Sequence, residues 1–304
     1  LKAKYINPYT DFGFKKLFGE EANTDLLIDF LNQLLPDEHR IVELSFKNPE
    51  KLSDMQTERR AIFDIHCENE NGDKFIVEMQ KAKIKFFKDR SIFYTTFPIK
   101  EQAEKGDWNF KLKPIYCVAI LDFIFDEHRE EKHYISNVQL KDQYCHVFYN
   151  KLRYIFIEMP RFNKQEDELK TRFDKWLYFL KNLEDFEEIP AILNEGVFVK
   201  GFETAEIANF DKKQMTEYED SLKVYRDLKG VVDTSFEEGE KIGIEKGEKI
   251  GIEKGIETGK NKMAEEMAKK SIKEGLSIDL ISKLTGLSRE EIEKIKLLSK
   301  KEAF

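Results

Sequence analysis

Two β-prone runs, Ala61–Glu68 and Lys74–Gln80, flank Asn69-Glu70-Asn71-Gly72-Asp73, a turn signal that predicts an antiparallel hairpin. Alternation puts Asp64, His66 and Glu68 on one face of the first strand and Phe63, Ile65 and Cys67 on the other. The second strand carries Glu78 and, two positions on, Gln80. Whether the acids meet depends on the loop, because a slip of one residue turns every side chain to the other face. A two-residue Asn71-Gly72 loop pairs Asp64 with Met79 and sends Glu78 away. A three-residue Glu70-Asn71-Gly72 loop, with Gly72 left-handed in a bulge, pairs Asn69 with Asp73 and Asp64 with Glu78. Gly72 suits both.

Two carboxylates and a polar group on one sheet face can hold a hard divalent cation, which prefers oxygen ligands. Such a cation activates water and offsets charge on a phosphodiester. A metal-site reading therefore predicts the three-residue loop. An ordinary amphipathic hairpin with a solvated face explains the same alternation, since one acid per strand is common. After Gln80 come Lys81, Lys83, Lys85, Lys88 and Arg90, five cations within ten residues and suited to phosphates. On a straight strand Lys81, Lys83 and Lys85 would face away from Gln80. The patch serves the acids only if the chain bends or enters a helix there.

Around the hairpin the pattern reads as a mixed α/β sandwich with a meander at its centre. Thr10 caps a helix whose apolar stripe is Phe14, Leu17 and Phe18. A second helix starts near Asn23 or Thr24, buries Leu27, Phe30, Leu31 and Leu34, and stops at Pro36. Ile41–Phe46 reads as a strand ended by Asn48-Pro49, and Phe86–Lys105 as a helix kinked near Pro98. A buried strand at Ile115–Leu121 follows, then strands around Val138–Leu140 and Tyr154–Ile157 and an amphipathic helix over Glu166–Leu183. Residues 198–228 read as helical and outside this core.

The domain boundaries expected are 1–195 for the α/β core, 196–235 for a helical connector and 236–304 for a tail of different texture. In that tail glycine recurs every fourth residue from Gly239 to Gly259, with two consecutive Gly-Glu-Lys-Ile-Gly-Ile-Glu-Lys octads. Each glycine costs about 1 kcal/mol of helix propensity. A helix stabilised by pairing with a second copy, giving a homodimer or larger assembly, is the expectation; a flexible linker is the rival. Residues 277–292 read as two short helices about Gly286, with Ser288 and Glu291 at capping-box spacing. Their acidic second helix suits packing better than a DNA groove.

Several classes are set aside. The longest apolar run, near Ile115–Leu121, is too short to span a bilayer, and the N-terminus carries no apolar export core. Three widely spaced cysteines, Cys67, Cys117 and Cys145, fit a reducing cytoplasm. A net charge of −8 counts against a nucleic-acid coat protein but leaves room for a local basic strip beside an acidic centre. His128, His133, Cys145 and His146 match no structural-zinc spacing. No glycine-rich phosphate loop or nucleophile elbow is evident.

Asn7-Pro8-Tyr9-Thr10-Asp11-Phe12-Gly13-Phe14-Lys15-Lys16-Leu17-Phe18-Gly19, then Asp64, Glu78-Met79-Gln80, Arg90 and Tyr94, resembles the Rpn family of recombination-promoting nucleases and transposases, within the PD-(D/E)XK superfamily. The likeness spans about the first 125 residues, with its motifs in order. It implies a restriction-endonuclease-like α/β core, a mixed central sheet flanked by helices, with a helical C-terminal extension. It implies further that Asp64 and Glu78 are metal ligands, that Gln80 stands where the superfamily has lysine, and that Asp11 supports the site. Phe63 replaces the superfamily proline, which does no chemistry. Gln80 carries no charge; Lys81 or Lys83 is the candidate replacement.

The function expected is a magnesium-dependent DNA endonuclease, with manganese as an alternative ion. Asp64, Glu78 and Gln80 are its catalytic residues, Asp11, Lys81 and Lys83 its accessory ones, and Lys85, Lys88 and Arg90 its DNA contacts. The alternative is a catalytically silent DNA-binding or self-assembling protein on the same fold.

Overall fold

The computed structural model describes residues 3–47, 64–103 and 109–301. The expected strand start at Ala61–Phe63, the strand stop at Asn48-Pro49 and the helix end at Lys105 lie outside these. The chain divides into two compact units, Leu1–Val232 and Asp233–Phe304.

In the first unit Thr10 caps α1 (Asp11–Phe18): its hydroxyl accepts from the Gly13 N–H at 2.9 Å and donates to the Asn7 carbonyl at 2.8 Å. Gly13 is required by space, since a Cβ there would lie 2.2 Å from that carbonyl oxygen. Helix α2 (Thr24–Asn32) buries Leu26, Leu27, Phe30 and Leu31, a stripe at helical spacing.

Among the described residues six strands follow: β1 (Leu44–Phe46), β2 (Ile65–Asn69), β3 (Lys74–Gln80), β4 (Ile115–Leu121), β5 (Ile135–Lys141) and β6 (Val147–Glu158). They form one sheet ordered β1-β2-β3-β4-β6-β5. The first three pair antiparallel, β3, β4 and β6 run parallel, and β5 returns antiparallel along the far edge. The meander thus occupies one side, and the centre is parallel. The linker from β3 to β4 contains α3 (Phe87–Glu101), long enough to carry the chain back for a parallel crossover. Strand β4 is buried at every position, which is why it reads as an unbroken apolar run.

The sheet separates two apolar layers by simple alternation. One face, with Phe75, Val77, Tyr116, Val118 and Ile120, packs against α1, α2 and the later helices α4 (Arg172–Asn182) and α5 (Gly196–Ala205). The other, with Ile76, Cys117, Ala119 and Leu121, packs under α3 through Phe87 and Phe97.

Helix α5 corrects the expectation that residues 198–228 lie outside the core. Phe198 and Phe202, one turn apart, are buried against Trp176 and Phe179 at ring separations of 4.9 and 5.0 Å. The stretch is also not one helix: the chain breaks after Ala205 and resumes as α6 (Lys212–Lys273). The start of α6 belongs to this unit, where Tyr218 and Tyr225 are buried and the Tyr218 hydroxyl accepts from the Asn7 N–H at 3.0 Å.

In the second unit α6 runs through the glycine repeat as helix, and a Cβ built at any repeat glycine meets nothing within 4 Å. Helices α7 (Ile278–Thr285) and α8 (Arg289–Lys301) join at Gly286, left-handed with φ 74°. Ile281, Ile292 and Ile295 pack with Ala268 of α6 into a small core. Ser288 and Glu291 exchange backbone hydrogen bonds in a capping box. Among the described residues no helix is long and apolar enough to cross a membrane.

Candidate active site

The hairpin turn takes the three-residue form. The Asn69 N–H donates to the Asp73 carbonyl at 3.0 Å, and the Asn69 side-chain oxygen accepts from the N–H groups of Asn71 and Asp73. Gly72 is left-handed, φ 80°. The pairs Glu68–Lys74 and Ile65–Val77 follow. One step further in this register, Asp64 stands opposite Glu78, and opposite residues of an antiparallel pair share a face.

Their environments differ. Asp64 is half-buried, and its Oδ2 accepts from the Met79 N–H at 2.8 Å. Burial raises its carboxyl pKa and the charge of Asp11 raises it further, against the Met79 hydrogen bond, Lys15 and Lys81. Glu78 is 4% exposed, and its carboxyl is pushed up to about 8 by burial and then by the charge of Asp64. Arg90 opposes that shift: its Nη2 lies 3.7 Å from Glu78 Oε2. Among the described residues Glu78 Oε1 is buried with no hydrogen-bond partner.

Two neighbouring carboxylates in a poorly hydrated site cannot both ionise cheaply. A divalent cation would remove that conflict and give the orphaned Oε1 a ligand. The all-oxygen donor set fits a hard ion such as magnesium. Among the described residues no group of three or more His, Cys, Asp or Glu side chains gathers at metal-binding spacing, so this site offers two carboxylates.

Gln80 is half-buried at the end of β3 and donates to the Ala82 carbonyl at 3.2 Å. Asp11 pairs with Lys15 at 3.0 Å on α1 and lines a cleft of about 590 Å³ together with Lys15, Lys16, Lys47, Asp64 and His66. That cleft reaches Asp64 but not the deeper Glu78. Lys81 is half-buried; burial lowers its ammonium pKa, against the attraction of Asp11 and Asp64.

The chain does bend after Gln80. Phe86 takes a left-handed conformation, φ 64°, and α3 begins at the next residue. This splits the cationic run. Lys83 and Lys88 are exposed and form ion pairs with Asp126 and Glu127. Lys85 is exposed with its Nζ 5.1 Å from the Phe86 ring centroid. Arg90, expected from sequence to contact DNA, turns toward Glu78 and lies over the Tyr94 ring at 4.8 Å.

Sequence reasoning missed this position of Arg90, although Tyr94 four residues later on a helix was a usable signal. His66, placed by alternation on the face of Asp64, is buried at 2% exposure, with its pKa lowered by burial. His128 takes a structural partner, Glu158, at 3.0 Å.

A family model described as PD-(D/E)XK nuclease family transposase matches residues 8–235, from the loop before α1 through the start of α6. No curated protein and no solved structure matches the chain. The matched span contains the N-terminal motif from Pro8 on, the hairpin with both acids and the whole sheet, and the chain belongs to the PD-(D/E)XK nuclease family transposases.

Proposed function

We propose that the protein is a magnesium-dependent endonuclease that hydrolyses DNA phosphodiester bonds in recombination or transposition. The observation that carries this reading is Glu78 Oε1, buried and without a hydrogen-bond partner among the described residues, in register with Asp64. A bound magnesium, or manganese, would lower the pKa of a water and stabilise charge at the phosphate. Asp64 and Glu78 hold the ion, with the Met79 carbonyl as a further oxygen donor. The Met79 N–H keeps the Asp64 carboxylate fixed. The Gln80 amide orients the attacking water. Asp11 and Lys81 set the charge at the mouth of the site, and Lys83, Lys85 and Lys88 meet the DNA backbone.

Plasmid nicking in magnesium tests this. Asp64→Ala is expected to abolish nicking while the circular dichroism spectrum is retained; an active variant removes the assignment. A catalytically silent DNA-binding scaffold is the rival, and calorimetry showing no ion bound at millimolar magnesium would favour it.

Self-association and setting complete the proposal. Ile242, Ile244, Ile250 and Ile252 on α6 are all at least half exposed, which supports self-association through the C-terminal helices. Replacing them with glutamate in the full chain should lower the mass measured by light scattering. Unpaired Cys67, Cys117 and Cys145 support a cytoplasmic setting.

A further inference from the structure

We propose that Arg90 supplies, at the reacting phosphate, the positive charge that Gln80 cannot carry. This rests on the nuclease reading above and goes beyond it, because it names a charged group for the reaction and places it on α3.

Four observations converge. The guanidinium lies 3.7 Å from Glu78 Oε2, so it already occupies the acidic centre. Tyr94 supports it from below, with the ring centroid 4.8 Å from Cζ. Among the described residues its Nε is buried with no hydrogen-bond partner, which leaves donor capacity unused. The side chain is 37% exposed, so the fork still reaches solvent and an arriving phosphate.

Among the described residues the other cations of the run make their ion pairs away from Glu78. Lys83 and Lys88 pair at the surface with Asp126 and Glu127, and Lys81 is attracted by Asp11 and Asp64. Arginine also has the chemistry. It stays charged at all working pH values, and its planar fork can keep one N–H on a carboxylate while others meet phosphate oxygens.

In the ion-free protein Arg90 lies beside Glu78 and favours its charged form against burial and Asp64. With a cation held by Asp64 and Glu78 that duty is shared, and the guanidinium N–H groups are available to the phosphate. During hydrolysis the water oxygen bonds to phosphorus, one ester P–O bond breaks, and the water proton passes to the leaving oxygen. Arg90 exchanges no proton. It stabilises the negative charge that builds on the non-bridging oxygens.

The test compares wild type, Arg90→Gln and Arg90→Lys in three measurements. These are magnesium binding by calorimetry, affinity for a duplex oligonucleotide by anisotropy in calcium, and single-turnover cleavage at saturating DNA. Arg90→Gln is expected to slow cleavage about a hundredfold. DNA affinity should be little changed and magnesium binding no weaker, because a competing cation beside Glu78 has gone. Arg90→Lys should recover part of the rate. If Arg90→Gln does not fold, Arg90→Met, which keeps an aliphatic stem on Tyr94, takes its place with the same expectations.

The proposal is overturned by an uncharged variant that cleaves at the wild-type rate, or by Arg90→Lys no faster than Arg90→Gln. It is equally overturned if DNA affinity falls in step with rate, which marks a backbone contact, or if magnesium binding is lost, which marks a support for Glu78. A wild type that neither binds magnesium nor cleaves removes the nuclease reading and this proposal with it. A wild type that does both beside a fully active Arg90→Gln removes this proposal alone.

Discussion

Asp64 accepts a hydrogen bond from the main-chain N–H of Met79 at 2.8 Å, so its carboxylate is tied to the residue next to Glu78. The bond ties the start of β2 to the end of β3 by a side chain, at the point where the regular ladder stops. It also separates two roles of one residue. An asparagine in place of Asp64 can still accept from Met79 but offers no carboxylate to a cation. Asp64→Asn should therefore lose magnesium binding and nicking yet fold as firmly as wild type. Asp64→Ala should lose both functions and about 1 kcal/mol of stability relative to Asp64→Asn. Urea denaturation of the two variants checks the difference; equal midpoints would show that the bond contributes nothing to the fold.

Gly72 governs the same register from the other end of the hairpin. Its φ of 80° is a conformation that asparagine tolerates and β-branched residues resist. Gly72→Asn is expected to cost a few tenths of a kcal/mol, and Gly72→Val about 1–2 kcal/mol. Thermal melts in the absence of metal would read the contrast. A valine variant as stable as wild type would mean that the turn can be rebuilt without the left-handed residue.

The sequence carries some of this plainly and some not at all. Strands β3 and β4 have the ends that the pattern predicts, because the first is set by a turn and the second is apolar at both faces. The loop length is undecidable from Gly72 alone. What decides it is Asn69, whose side-chain oxygen satisfies two loop N–H groups, a contact that no periodicity reveals. Strand β6 runs to 12 residues where the pattern predicts a strand around Tyr154–Ile157, since its first seven residues are exposed or half-buried and mix apolar with polar side chains. Helix α5 is misplaced by sequence reasoning because amphipathic spacing shows that a face is buried, not against what. Arg90 sits on a helix that starts after a left-handed Phe86, a backbone state that a phenylalanine does not advertise. The metal-binding and catalytic roles of Asp64, Glu78 and Gln80 are proposals, and binding and cleavage measurements decide them.

The helix start that presents Asp11 depends on a glycine for a different reason. A Cβ at Gly13 would press on the Asn7 carbonyl oxygen at 2.2 Å and on the Thr10 hydroxyl at 2.7 Å, the two groups that form the α1 cap. Gly13→Ala should thus cost about 1–3 kcal/mol despite alanine's better helix propensity. Because Asp11 and Lys15 line the cleft beside Asp64, the surviving folded protein should also bind DNA differently at its mouth. Differential scanning calorimetry decides the first part: an alanine variant with a raised Tm would show that the loop yields freely.

The pH dependence of the ion-free protein should follow Glu78. Its carboxyl is pushed up to about 8 in the folded state, first by burial and then by Asp64, from an ordinary value near 4.5. Between those values the folded chain holds a proton that the unfolded chain has released. The associated stability is therefore fully present below about pH 4.5 and is lost as pH rises toward 8. Asp64, also raised, adds to the same trend from below. Thermal melts without metal should thus decline over this range, and Glu78→Gln, which has nothing to titrate, should flatten the curve. A cation held by Asp64 and Glu78 requires the deprotonated carboxylates, so its binding below pH 8 must expel a proton and tighten as pH rises. Calorimetry in buffers of different ionisation enthalpy counts that proton directly. Binding that releases none at pH 7 would mean that Glu78 is already charged, with Arg90 as its sufficient partner.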